Sequence, residues 1–142
     1  MKNGNGKNGK KSNKYYSGLQ EDSVARTLDG RVVLASGATP FKKGDVEATL
    51  PNGETILLEC KTKTQPVRSF SVKKEWLEVA EQDSFRMNAN YSGVVFNYNP
   101  LQQDNYIVMK LEDFRELAQT LYRDGENKIY VGNRAETIWE EG

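Results

Sequence analysis

The chain contains no histidine, a single cysteine and no long apolar run. The lack of histidine excludes histidine-based metal sites, Ser-His triads and nucleases with a histidine base. Acid–base chemistry must then come from carboxylates, lysine, tyrosine or metal-bound water. The lone Cys60 excludes an intrachain disulfide and a cysteine-based zinc site, and it favours a reducing compartment such as the cytoplasm. Because no segment resembles a membrane span or a signal peptide, we expect no membrane association.

The length and the charge distribution predict a basic N-terminal arm followed by one domain. With 142 residues, the chain can form a modest core. Residues 1–14 carry five of the twenty basic side chains and no acidic one, which leaves a net charge of −5 on the rest. Residues 1–13 have almost nothing apolar, so we predict a disordered arm there and a single domain over 14–142. The arm is either a solubilising tail or a segment that contacts phosphates.

A predicted hairpin brings two carboxylates and an amine to one patch. Pro51-Asn52-Gly53 suits a three-residue loop between two alternating strands, in a register that sets Asp45 opposite Glu59 with Lys61 on the same face. Facing carboxylates repel unless a cation lies between them, so the patch favours a divalent metal held against a phosphodiester, as in a nuclease. The alternative is an ordinary surface hairpin. The opposite face is apolar and comprises Val46, Ala48, Leu50, Ile56, Leu58 and Cys60.

The rest of the chain alternates helical and strand patterns. We predict helices over 15–28, 71–87 (with Ser71 as N-cap) and 112–123, and strands over 31–35, 92–98 and 105–110. This order predicts a mixed α/β domain of the α+β kind, with a central mixed sheet flanked by helices. Glu21 lies at the edge of the first helix's apolar stripe, as either a surface residue or a third carboxylate directed inward.

Basic and hydroxylic side chains flank the patch on both sides. Such loops allow a phosphate backbone to approach closely. The alternative is that they are ordinary surface loops. The candidate DNA contacts are Ser36, Thr39, Lys42 and Lys43 before the hairpin, Lys63 and Arg68 after it, and Lys10, Lys11 and Lys14 near the N-terminus.

Together these motifs resemble the PD-(D/E)xK nuclease superfamily, and more closely the Holliday junction resolvases of the archaeal type and related phage enzymes. The shared features are an acid on the first helix (Glu21), an Asp at the start of the second strand (Asp45) and Glu-x-Lys on the third (Glu59 and Lys61). The resemblance covers about residues 17–115. Each motif is short, and Lys43-Gly44 rather than proline precedes the Asp.

The resemblance implies a restriction-endonuclease-like core (α-β-β-β-α-β) and a Mg²⁺-dependent endonuclease, with Mn²⁺ as a substitute. It implies that Asp45, Glu59 and the carbonyl of Cys60 bind the metal, and that Glu21 does so directly or through water. Lys61 would orient or deprotonate the attacking water and stabilise transition-state charge. The catalytic residues would be Glu21, Asp45, Glu59 and Lys61.

The implied substrate is branched DNA such as a four-way junction. Symmetric cutting of a junction needs two sites, so the resemblance also implies a homodimer. Two alternatives remain. One is a nuclease of the same fold that acts on duplex DNA, as a nickase, restriction-type or repair enzyme. The other is a DNA-binding module that has lost catalysis.

Overall fold

The computed structural model describes residues 12–34, 45–123, 128–131 and 134–137, with side chains described through residue 119. This part of the chain forms a mixed α/β fold with three helices, a five-stranded sheet and a separate hairpin. The predicted order of elements up to residue 123 is confirmed. The helices are α1 (Asn13–Thr27), α2 (Lys74–Arg86) and α3 (Leu111–Arg123). The strands are β1 (Arg31–Val32), β2 (Val46–Thr49), β3 (Thr55–Lys61), β4 (Tyr91–Asn97), β5 (Asn105–Val108), β6 (Lys128–Val131) and β7 (Arg134–Thr137).

The five-stranded sheet is mixed, with strands in the order β1-β2-β3-β4-β5. The first three strands form an antiparallel meander, β4 runs parallel to β3, and β5 returns antiparallel to β4. Because β3 and β4 are parallel, their connection is a crossover through α2. The carboxyl ends of β3 and β4 therefore meet at one edge of the sheet.

The hairpin between β2 and β3 has the predicted loop. The Leu50 N–H donates to the Glu54 carbonyl over 2.6 Å. Gly53 closes the turn with a φ of +91°, which glycine adopts without steric cost. The ladder continues in this register to Val46 and Leu58. The three-residue loop and the register of the strands are thus confirmed.

The two faces of the sheet are covered by different helices. On one face, Val24 and Ala25 of α1 pack against the apolar side of the hairpin strands, and Cys60 is partly buried there as predicted. On the other face, Leu57 and Val94 are buried beneath α2. Side chains alternate along a strand, so β3 presents even-numbered residues to α1 and odd-numbered residues to α2. Among the described residues, no helix is long and apolar enough to cross a membrane.

Helix α1 begins slightly earlier than predicted. Ser12 is its N-cap, and the Ser12 hydroxyl accepts a hydrogen bond of 3.2 Å from the Tyr15 N–H. Ser12 and Asn13, assigned above to the arm, therefore belong to the start of the helix. The rest of the arm, residues 1–11, lies outside the described residues.

The predicted start of α2 at Ser71 is wrong. The helix begins at Lys74, and its N-cap residue, Lys73, makes no side-chain capping bond. Upstream, the ring of Phe70 packs against Phe96 with centroids 5.1 Å apart. This tertiary contact holds the chain in a non-helical path past Ser71 and outweighs the local capping preference.

Candidate active site

Asp45 is held against β3 by its own side chain. Its Oδ2 accepts a hydrogen bond of 2.7 Å from the Cys60 N–H. The Asp45 N–H donates to the Leu58 carbonyl over 2.9 Å, and Leu58 is already the ladder partner of Val46. The regular ladder therefore ends before Asp45, which does not form the predicted ladder pair with Glu59. Instead the N–H and the carboxylate of Asp45 form hydrogen bonds with the residues on either side of Glu59.

Glu59 and Lys61 lie on the α2 face of β3. The Lys61 Nζ is 3.8 Å from the Glu59 Oε2. It also lies 4.8 Å from the ring centre of Trp76 in α2, so the ammonium group sits between a carboxylate and an aromatic face. The side chains of Glu59 and Lys61 are 20% and 32% exposed, so both remain accessible to a ligand.

Asp45 and Glu59 both have favourable partners within the chain. The Cys60 N–H stabilises the charge of Asp45, and the ammonium of Lys61 stabilises the charge of Glu59. These contacts offset the repulsion expected from neighbouring carboxylates, so the hairpin does not need a cation for its own stability. Within the described residues, no group of three or more His, Cys, Asp and Glu side chains is arranged to hold a metal.

A buried glutamine anchors α1 to the carboxyl end of β3. The Gln20 side chain is fully buried. Its Nε2 lies within hydrogen-bonding distance of three acceptors: the Lys61 carbonyl at 2.9 Å, the Val95 carbonyl at 3.3 Å and the Asn105 Oδ1 at 3.3 Å. Its Oε1 is buried and has no hydrogen-bond partner in the part of the chain that the structure describes. One amide thus ties the helix to β3, β4 and β5.

The importance of Gln20 was missed in the sequence, although a signal was present. Gln20 lies four residues after Tyr16 and four residues before Val24, and all three are buried. A polar residue at the centre of an i, i+4, i+8 buried row is expected to have partners.

Further buried amides secure the same end of the sheet. Asn97, the last residue of β4, is fully buried. Its Oδ1 accepts a hydrogen bond of 2.7 Å from the Thr62 hydroxyl, and its Nδ2 donates to the Asn105 Oδ1 over 3.0 Å. This network joins the residue after β3 to β4 and β5, so the backbone that carries Lys61 is fixed from several directions.

Glu21 follows Gln20 in α1 and is half-buried. Its position in the chain brings it towards the carboxyl end of β3. However, α1 packs on the face that carries Cys60, whereas Lys61 contacts α2 on the opposite face. Within the described part of the chain, Glu21, Asp45 and Glu59 do not form a group arranged to hold a metal.

Three of the predicted DNA contacts can be located. Lys14, Lys63 and Arg68 are exposed, and the Lys63 Nζ lies 5.3 Å from the ring centre of Phe70. The others lie outside the described residues: Lys10, Lys11, Ser36, Thr39, Lys42 and Lys43.

No protein-family model matches this chain, and no curated protein sequence matches it significantly. An assignment of function therefore depends on the site itself.

Proposed function

We propose that this protein is a divalent-metal-dependent DNA endonuclease whose site comprises Asp45, Glu59 and Lys61. The observation that carries the proposal is the hydrogen bond of 2.7 Å between the Cys60 N–H and the Asp45 Oδ2. It holds one carboxylate beside the strand segment that presents the second carboxylate and the lysine. This residue set is suited to phosphodiester hydrolysis.

The topology of the sheet supports the same proposal. A helix, an antiparallel three-stranded meander, a crossover helix and a fourth strand parallel to the third follow one another. This is the order expected of the restriction-endonuclease-like core that the resemblance implies, and we propose that finer fold assignment.

The donor atoms of the patch fit a hard cation. Asp45 and Glu59 offer carboxylate oxygens, and Cys60 offers a backbone carbonyl, which suit Mg²⁺ or Mn²⁺. We propose these three as ligands, with Glu21 as a further ligand, directly or through water. A bound divalent cation would supply Lewis acidity at the phosphoryl group and would lower the pKa of water.

The protein's own contribution centres on Lys61. Its ammonium group lies between Glu59 and the Trp76 ring on the α2 face of the sheet. From there it would orient the attacking water and stabilise the negative charge that develops on the phosphoryl oxygens. The buried Gln20 fixes the backbone from which Lys61 extends.

We propose branched DNA, such as a four-way junction, as the substrate. We further propose a homodimer as the active form and the cytoplasm as the location (the host's cytoplasm, for a phage-encoded enzyme).

The test is a cleavage panel in Mg²⁺, in Mn²⁺ and in EDTA, with a junction, a flap, a linear duplex of matched sequence and a single strand. We expect metal-dependent cutting that is faster on branched DNA than on the duplex. If the protein binds these DNAs but cuts none with either metal, the nuclease proposal is wrong.

A second candidate is a DNA-binding module without catalysis. It is favoured by the internal partners of Asp45 and Glu59 and by the lack of a preassembled metal-binding group among the described residues. Calorimetric titration with Mn²⁺ separates the two candidates. A nuclease shows a site that is lost in Asp45→Asn, whereas a binding module shows no site that depends on Asp45.

A further inference from the structure

A contiguous row of aromatic rings leads away from Lys61. Trp76, whose ring lies beneath the lysine, contacts Phe70 at a centroid distance of 6.2 Å. Phe70 contacts Phe96 at 5.1 Å, and Phe96 stacks with Tyr106 at 5.7 Å. Tyr98 completes the row and lies 5.5 Å from Phe96 and 5.7 Å from Tyr106. We call these five residues the aromatic strip.

The outer end of the aromatic strip is open to solvent. Tyr98 is 38% exposed and Tyr106 is 50% exposed, whereas Phe70 and Phe96 are half-buried between the tyrosines and Trp76. Singly exposed aromatics are common and need no explanation, whereas a contiguous exposed apolar patch often marks a binding site.

The aromatic strip is bordered by cations. Residues 60–74 contain five basic side chains and no acidic one. The Lys63 Nζ lies 5.3 Å from the Phe70 ring centre, and the Lys73 Nζ lies 5.7 Å from the Trp76 ring centre. Proteins that bind single-stranded nucleic acid combine a positively charged track for phosphates with aromatic rings for bases. This surface has both components.

Another exposed aromatic in the molecule has the opposite surroundings. Phe85 of α2 is 87% exposed and lines a surface depression with Glu78, Glu81 and Gln82. Each of these two carboxylates is paired with a lysine (Lys74 at 3.8 Å and Lys110 at 3.1 Å), so the depression around Phe85 has no excess positive charge for phosphates. Phe85 therefore provides a matched control for the aromatic strip.

We propose that the aromatic strip binds unpaired nucleotides of the DNA substrate by base stacking. Together with the adjacent Lys61, it selects branched DNA in which unpaired bases, as in a flap or in a junction whose centre has opened, lie near the scissile phosphate. The inference rests on the proposed function for the cleavage step and specifies its substrate class. Binding of the unpaired strand itself requires no cleavage and is tested separately.

The first test measures equilibrium binding in EDTA by fluorescence anisotropy, with a labelled single strand and a labelled linear duplex. We expect Tyr106→Ala to weaken single-strand binding about tenfold, since one stacked base is lost, and to change duplex binding much less. Tyr106→Phe keeps the ring and should bind as the parent does, and so should Phe85→Ala. Equal affinities of Tyr106→Ala and Phe85→Ala for the single strand would overturn the inference, as would equal losses for single strand and duplex.

A second test leaves all five residues of the aromatic strip unchanged, so it does not depend on whether Tyr106→Ala folds. The chain has two tryptophans, so Trp139→Phe leaves Trp76 as the sole tryptophan reporter. A saturating single strand should quench its emission, and a blunt duplex should do so much less. An unchanged emission at saturation would overturn the inference. Both tests are run in EDTA, so they do not depend on cleavage. If they fail while the protein still cuts DNA, only the proposed role of the aromatic strip is contradicted. If they succeed while the protein cuts no DNA, only the nuclease proposal is contradicted.

Discussion

The side-chain amide of Gln20 and the backbone carbonyl of Lys61 are joined by a hydrogen bond of 2.9 Å across 41 positions of sequence. Lys61 thus contacts both helices: its carbonyl accepts a hydrogen bond from α1, and its ammonium group lies over Trp76 of α2. The geometry of the proposed site therefore depends on a buried glutamine on the other side of the sheet.

Replacing Gln20 by Leu should destabilise the protein. The substitution roughly preserves volume but leaves the carbonyls of Lys61 and Val95 without this donor, and each unsatisfied buried group costs about 1–3 kcal/mol. We expect the free energy of unfolding, measured by urea denaturation, to fall by about 2–4 kcal/mol in total. Gln82→Leu, at an exposed position of α2, is the control and should change it by less than about 0.5 kcal/mol. A similar small effect at both positions would show that the Gln20 hydrogen bonds contribute little.

Lys61→Ala should remove cleavage and spare binding. Loss of a group that stabilises transition-state charge lowers turnover by about 10²–10³-fold. We expect a decrease of this size in the single-turnover rate on junction DNA, with junction affinity changed only a few-fold. Lys110→Ala, an exposed lysine paired with Glu81 at 3.1 Å, should cut at the parent rate. Equal rates for the two variants would remove Lys61 from the proposed mechanism.

The basic N-terminal segment can be tested by deleting residues 1–11, which leaves the Ser12 cap of α1 in place. For every phosphate that the segment neutralises, its deletion should reduce the slope of log affinity against log salt by about 0.9. We therefore expect weaker DNA binding with a flatter salt dependence, measured by anisotropy between low and moderate salt. A slope identical to that of the parent would show that the segment does not bind phosphates.

Two glycines should respond to alanine with opposite signs. Gly18 is inside α1, and an added Cβ would meet nothing within 4 Å, so Gly18→Ala should raise the free energy of unfolding by about 0.5–1 kcal/mol. Gly53→Ala should lower it by about 1 kcal/mol, because Gly53 has a φ of +91°. Urea denaturation of the two variants measures both changes. A gain at Gly53 or a loss at Gly18 would contradict the geometry of the hairpin or of the helix.

The hairpin was predictable because its causes are local. Pro51-Asn52-Gly53 specifies the loop, and the apolar faces of the two strands then fix the register. The same local rules did not anticipate the turn of Asp45 towards Cys60, which takes place where the ladder ends.

Features with distant causes were not predicted. The acceptors of Gln20 lie 41 to 85 positions away, so the sequence around Gln20 indicates that it needs partners but does not identify them. The start of α2 depends on the packing of Phe70 against Phe96 rather than on Ser71. The β6–β7 hairpin was also missed, although the Gly132-Asn133 dipeptide between its strands is a known hairpin signal.

The most direct test of the nuclease proposal is the single-turnover cleavage of a four-way junction by Asp45→Asn in Mn²⁺, with junction binding measured in parallel. Asp22→Asn, at an exposed position of α1, is the control. We predict that Asp45→Asn forms no product above the metal-free background and binds the junction with unchanged affinity, while the parent and Asp22→Asn cut it. Cleavage by Asp45→Asn at the parent rate would contradict the proposed site.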